Sequence, residues 1–165
     1  MRRETFPISR RLFFEVITTS GDVEILPGAP DEVTVELRGG PAETYVVELN
    51  GSDLTVHPPS KRSGKRRLAS TDIKLHVPAD AAGNIRTASG NVVVLSSLRE
   101  LTVATASGDL RVQGPIGNDL EVRTASGDLK LRDIGGNVTI STASGDVVAD
   151  DIGGDLRYNT VSGDA

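Results

Sequence analysis

Thr124-Ala125-Ser126-Gly127-Asp128-Leu129-Lys130-Leu131 is the stretch to which the rest of the chain keeps returning. The same phrase stands at Thr87-Ala88-Ser89-Gly90-Asn91, Thr105-Ala106-Ser107-Gly108-Asp109, Thr142-Ala143-Ser144-Gly145-Asp146 and Thr160-Val161-Ser162-Gly163-Asp164. Its serines fall at 89, 107, 126, 144 and 162, in steps of 18, 19, 18 and 18 residues. A fixed short period marks a solenoid, in which each unit buries its apolar face against its neighbours only.

The unit divides once more. Ser126-Gly127-Asp128-Leu129 is answered nine residues later by Gly135-Gly136-Asn137-Val138, and Ser144-Gly145-Asp146-Val147 by Gly153-Gly154-Asp155-Leu156. Each coil of about 18 residues is therefore expected to hold two strands and two tight corners, stacked as a flattened two-sheet parallel β-solenoid. At about 4.8 Å per rung, four such coils rise roughly 20 Å. Alternation turns Leu110, Val112, Ile116, Leu120 and Val122 inward, with Leu129, Leu131, Ile134, Val138 and Ile140 in the next coil. Lys130, Arg132, Thr139 and Ser141 turn outward. Thr124 and Ser126 face the core near the corner, which predicts Thr and Ser ladders hydrogen-bonded from coil to coil.

Composition agrees with thin coils. Among 165 residues aromatics are 3% with no Trp, and there are 18 Gly, whereas a sandwich core uses larger side chains. A net charge of −5 argues against nucleic acid as a partner for the whole surface. The chain has no Cys, which excludes disulfides and thiolate zinc sites. Nothing shows the sustained 3.6-residue periodicity of a helix. Short alternating segments bounded by Gly, Pro, Asn or Asp recur instead, from Phe13–Thr18 to Leu156–Thr160.

Residues 1–80 are expected to be degenerate first coils of the same body, with a capping strand near 12–18 and a basic loop over 58–70. Ser20-Gly21-Asp22-Val23 is an early instance of the phrase, and strands start at 23, 33, 44 and 54. A separate small antiparallel sheet is the alternative. Residues 81–165 are expected to be regular repeats continuous with them. They break off at Ser162-Gly163-Asp164-Ala165, where the next strand is due, as in a fragment. The basic start Met1-Arg2-Arg3 precedes no apolar run of signal-peptide length, and Glu15 interrupts Leu12–Ile17. As written, the chain has neither signal peptide nor transmembrane segment and reads as cytoplasmic.

Candidate sites are few. Asp109, Asp128 and Asp146, with Asn91 in the same place, form a column whose carboxylates a calcium ion could relieve. The calcium-binding nonapeptide needs a Gly-Gly-x-Gly-x-Asp run that Gly153-Gly154-Asp155-Leu156 lacks. The plainer reading is that Asp and Asn cap their own turns. Lys61, Arg62, Lys65, Arg66 and Arg67 form a basic run after Pro58-Pro59. It is read as a solvated loop or a contact for an anionic partner, including a membrane surface; no aromatic interleaves it to stack bases. His57 and His76 each end a strand ahead of a proline, with no repeated Ser or carboxylate aimed at them, so no catalytic residue is assigned. No cofactor is implied, because the recurring Gly pairs open no helix that would cradle a phosphate. On the outer faces, Arg111, Lys130 and Arg132 are the candidate partner-binding residues, with Glu121, Arg123 and Arg157 also outward.

The recurrent Thr-Ala-Ser-Gly-Asp-Leu/Val phrase, with its Gly-Gly-Asn/Asp-Leu/Val half-repeats, resembles the bacterial β-strand-repeat family labelled "putative adhesin", a domain family of unknown function. The likeness is strongest over 84–165 and extends to Ser20-Gly21-Asp22-Val23 and Ile73-Lys74-Leu75-His76-Val77-Pro78. The resemblance implies a right-handed β-solenoid and a surface or envelope-associated role, and it implies no catalytic residues. The expectation is a non-enzymatic scaffold or adhesion-like module that binds a protein or an envelope polymer through flat outer faces. The alternatives are a subunit that stacks end to end through uncapped coils, a calcium-stabilised repeat domain and, last, a carbohydrate-active enzyme. The regularity of the repeat speaks against the enzyme, which would break its coils at a cleft.

Overall fold

The computed structural model describes residues 2–39, 45–58 and 71–162. All regular structure among them is β-strand, sixteen in number: β1 Arg2–Pro7, β2 Phe13–Ser20, β3 Val23–Pro27, β4 Glu32–Gly39, β5 Val46–Asn50, β6 Asp53–His57, β7 Thr71–Val77, β8 Ala81–Ser89, β9 Val92–Val94, β10 Leu98–Ser107, β11 Leu110–Val112, β12 Leu120–Ser126, β13 Leu129–Ile134, β14 Val138–Ser144, β15 Val147–Ile152 and β16 Leu156–Ser162. They make two eight-stranded sheets, ordered β1-β4-β7-β3-β9-β11-β13-β15 and β16-β14-β12-β10-β8-β2-β6-β5.

From β8 onward the chain alternates between the sheets, and each strand pairs in parallel with its counterpart in the next coil. Leu120 faces Val138, which faces Leu156, and Ser107 faces Ser126, which faces Ser144. All ten core positions named from alternation are buried. The longer step between Ser107 and Ser126 is absorbed at one corner. Ile116 stands six positions after Leu110, whereas Ile134 stands five after Leu129, yet both pairs stay in register. The shorter corners close through Asp133 and Asp151 in left-handed conformation, with φ of 48° and 52°. Asp tolerates that region better than most side chains do.

The opposite corner shows why the phrase contains glycine. Gly127 has φ +136°, and a Cβ there would stand 2.0 Å from the carbonyl oxygen of Gly108 in the preceding coil. Backbones this close admit no side chain, so the column Gly21, Gly90, Gly108, Gly127 and Gly145 repeats with the coil.

The first part of the chain does not stack in sequence order. β2 and β3 form a coil that lies inside both sheets, between β8–β9 on one side and β6–β7 on the other. Residues 12–18, expected to form a cap, thus belong to an interior strand with parallel neighbours on both edges. The covering strands are others. β1 and β4 continue one sheet antiparallel beyond β7, and β5 closes the other antiparallel to β6. The strand starts at 33 and 44 therefore mark antiparallel covering strands, whereas the one at 54 is β6, which stacks in parallel on β2.

β8 is a strand that alternation does not reveal. Ala81-Ala82-Gly83-Asn84 are poor strand formers, and tertiary packing supplies what propensity lacks. Phe14, fully buried, lies opposite Gly83 in register, and a Cβ on Gly83 would come within 2.3 Å of the Phe14 ring. The large aromatic in one coil and the missing side chain in the next are one packing solution.

Candidate interaction faces

The Asp/Asn column is a hydrogen-bond ladder between coils. Asp72 Oδ1 accepts from Asp22 N at 2.9 Å, and Asp22 Oδ1 from Asn91 N at 3.0 Å. Asn91, Asp109 and Asp128 continue the series to Asp109, Asp128 and Asp146 at 3.0, 3.0 and 3.2 Å. The opposite corner has a shorter copy, Asp119 to Asn137 to Asp155, at 2.9 Å for each bond. Each side chain therefore caps the turn of the following coil rather than its own. Because only one side-chain oxygen per rung is needed, Asn serves as well as Asp, which explains their interchange. Among the described residues no group of three or more His, Asp or Glu is placed to hold a metal ion.

The threonines also depart from expectation. Thr87, Thr105, Thr124 and Thr142 are buried, but each hydroxyl donates to the carbonyl of the Ser two residues on, at 3.0 to 3.1 Å, within its own coil. Ser89, Ser107 and Ser126 are exposed. The coil-to-coil role expected of Thr and Ser belongs to the Asp/Asn column instead. A buried hydroxyl can meet its need locally wherever the chain turns two residues later.

The outer face of the first sheet carries one long row in register: Glu36, Lys74, Glu24, Val93, Arg111, Lys130 and Val148. Its first part is balanced, with Lys74 Nζ 3.5 Å from Glu24 Oε2 and His76 Nε2 3.1 Å from Glu36 Oε2. Further along, Arg111 and Lys130 lie directly opposite each other on β11 and β13, both exposed, and make no ion pair among the described residues. Arg132 stands two residues beyond Lys130 on the same face, with Asp150 across from it in register but no ion pair formed. Like charges directly opposite in a sheet repel. The three cations chosen from sequence are thus brought together on one face.

Other candidates separate. His57 lies on β6 in the second sheet and His76 on β7 in the first, each with its own partner, His57 Nδ1 being 2.8 Å from the carbonyl oxygen of Pro58. Glu121, Arg123 and Arg157 are on the second sheet, away from Arg111. Lys61, Arg62, Lys65, Arg66 and Arg67 lie outside the described residues. Sequence reasoning missed an open apolar strip on the outer face of the second sheet, lined by Ala88, Ala106, Ala125 and Ala143. Its signal was present, since the Ala between each Thr and Ser faces outward by alternation. Among the described residues no helix is long and apolar enough to cross a membrane.

The fold and its faces define an all-β module of stacked strands with long exposed rows. A family model described as Toastrack DUF4097 matches residues 13–165, and the chain belongs to that family. Among solved structures it is similar to a "putative cell adhesion protein" of Clostridium sporogenes, with 12% identity over 96% of this chain and 99% of that one and a TM-score of 0.49. A "putative adhesin" of Bacteroides fragilis has 12% identity over 99% and 95%, also with a TM-score of 0.49. Another from Parabacteroides distasonis has 16% identity over 96% and 76%, with a TM-score of 0.37. No curated protein matches the chain.

Proposed function

We propose that this protein is a non-enzymatic interaction module that meets an anionic protein or envelope polymer through the outer face of its first sheet. The proposed frame is a right-handed solenoid of about 18 residues per coil, with residues 1–80 and 81–165 forming one body at the cell envelope. The observation that carries the reading is the Arg111–Lys130 adjacency, with Arg132 beside it and, among the described residues, no acidic side chain bonded to any of the three. A sheet that sets Arg111 opposite Lys130 at about 4.8 Å, neither ion-paired among the described residues, gains from an anionic partner that supplies the counter-charge. Polymer partners suit a rigid row better than a pocket, because successive acidic groups can meet successive rungs.

Co-sedimentation with a purified anionic cell-wall polysaccharide tests it. The wild-type chain should bind, with affinity falling steeply as salt rises, and the variant Arg111→Glu, Lys130→Glu, Arg132→Glu should not bind. Undiminished binding by the triple variant would remove this face from consideration.

A second reading, end-to-end association, has its own support. Among the described residues β15 and β16 are the outermost strands at one end of the two sheets, and an outermost strand can template pairing with another chain. Val148, Leu156 and Val161 near this end are 55%, 44% and 87% exposed. Light scattering over a concentration range, with negative-stain microscopy, distinguishes growing filaments from a constant mass.

A further inference from the structure

Among the described residues the outermost strands of the two sheets are β1 and β5 at one end of the stack and β15 and β16 at the other. The apolar side chains that pack against the core but stay only partly buried are Phe6, Val47, Leu49, Ala149, Ile152 and Tyr158, and all of them lie on those four strands. Leu156, inward by register, is 44% exposed. Each end of the stack therefore shows one side of an apolar layer.

The strand registers say what would complete it. In the second sheet an inward row begins at Leu49 on β5, passes through Phe14 and Gly83, and ends at Leu156 on β16. The next inward row begins at Val47 and ends at Tyr158, and the outward row between them begins at Glu48 and ends at Arg157. From β16 to β6 every neighbour is parallel, whereas β5 runs antiparallel to β6. A second copy placed further along the stacking axis therefore sets its β5 antiparallel beside β16. Continuing the rows puts Leu156 opposite Leu49, Tyr158 opposite Val47 and Arg157 opposite Glu48. Apolar side chains then meet on the inner face and opposite charges on the outer, both favourable across a sheet. Arg157 and Glu48 are exposed and make no ion pair among the described residues.

The first sheet agrees. Its outward row begins at Arg3 on β1 and ends at Val148 on β15. Asp150, two residues further on the same face and exposed like Arg3, comes within diagonal reach of that arginine in the next copy. Each sheet has eight strands, so one shift of roughly 38 Å continues both together. Pairing of this end with itself is opposed by charge. It would gather Asp146, Asp150, Asp151 and Asp155 from two copies along one seam, with Arg157 the cation beside them on β16.

We propose that copies of this chain join head to tail, β16 of one pairing antiparallel with β5 of the next, with Arg157 facing Glu48 and Leu156 facing Leu49 across the junction. The proposal rests on the end-to-end reading above and gives that contact a polarity and a register. Such a contact uses two different surfaces, so it adds copies without limit unless a ring closes.

Sedimentation velocity of the 165-residue chain over a concentration range tests it. The wild type should grow in mass past the dimer. Arg157→Glu and Glu48→Arg should each weaken association by about fivefold or more, because each sets like charges across every junction. Mixed in equal amounts, the two variants should recover wild-type association, since each junction between unlike variants again joins opposite charges. Leu156→Glu should abolish association. A circular dichroism melt establishes that each variant is folded; Arg157→Asp and Glu48→Lys read the same contact should either reversal fail that control. A wild type of constant monomer mass would overturn the end-to-end reading and this contact with it. Association that survives both reversals, or that does not recover on mixing, would overturn this register while leaving end-to-end association in place. A mass that stops at the dimer would overturn the head-to-tail polarity.

Discussion

The repeats over 81–162 and the part of the chain before them build the same two sheets by different means. In the repeats each coil is a near-copy of the last, so glycine stacks on glycine and aspartate bonds to aspartate. Before them, Gly21 and Asp22 still join those columns, but the contacts that close the end are particular. Tyr45, buried on the side of β6, hydrogen-bonds Thr18 Oγ1 through its hydroxyl at 2.8 Å, and Arg2 donates to the Tyr45 carbonyl at 2.7 Å. Phe14 needs Gly83, a residue sixty-nine positions away. The outer surface follows the same division, with Lys74 and Glu24 paired at one end of the row and Arg111 and Lys130 unpaired at the other. A repeating body tolerates uniform faces and unbalanced charge. The end that closes it needs distinct side chains, each fitted to one neighbour.

The contrast can be broken most severely at a repeated corner. Gly127→Val should destabilise the protein by about 4 kcal/mol or more, or prevent folding, because positive φ and a carbonyl in the way act together. Chemical denaturation measures this. Phe14→Ala should cost about 3–5 kcal/mol, since the fully buried ring leaves a cavity beside Gly83. Leu131→Ala, within the uniform coils, should cost about 2–4 kcal/mol. A reversed order for these two core variants would mean that the first coil is no more tightly fitted than the repeats. Thr124→Val keeps the shape and loses one local hydrogen bond, an expected loss of about 1 kcal/mol. Smallest is calcium. With Asp22, Asp109 and Asp128 each engaged to the neighbouring coil, the melting temperature should be the same in millimolar calcium and in chelator, and a marked rise with calcium would show that the column serves as a cation site.

Legibility in the sequence follows the same line. The repeats announced themselves through spacing, and alternation placed Leu110, Val112, Leu129 and Leu131 correctly because identical coils share one rule. The roles of Thr124 and Asp128 were exchanged, since both are polar residues near a corner and only the direction of each bond tells them apart. β8 was missed because its residues suit a strand only when Phe14 fills the space that Gly83 leaves. The order of β6–β7 and β2–β3 was beyond reach, because nothing local records that the chain steps outward past a coil and later returns beyond it. Of the candidate site, the cluster Arg111, Lys130 and Arg132 was legible from parity alone. That Arg111 faces Lys130 while Asp150 lies across from Arg132 depended on which strands are neighbours.

That order is the central claim, and a chain without cysteine allows a direct test. Glu24 and Val93 are register neighbours, as are Glu24 and Lys74, whereas β3 separates Lys74 from Val93. Adjacent positions lie about 4.8 Å apart, within disulfide reach, and positions two strands apart do not. Oxidising the pairs Glu24→Cys with Val93→Cys, Glu24→Cys with Lys74→Cys, and Lys74→Cys with Val93→Cys should give intramolecular disulfides in the first two and none in the third. Rapid cross-linking of 74 to 93 with none between 24 and 93 would contradict this order and restore simple stacking in sequence.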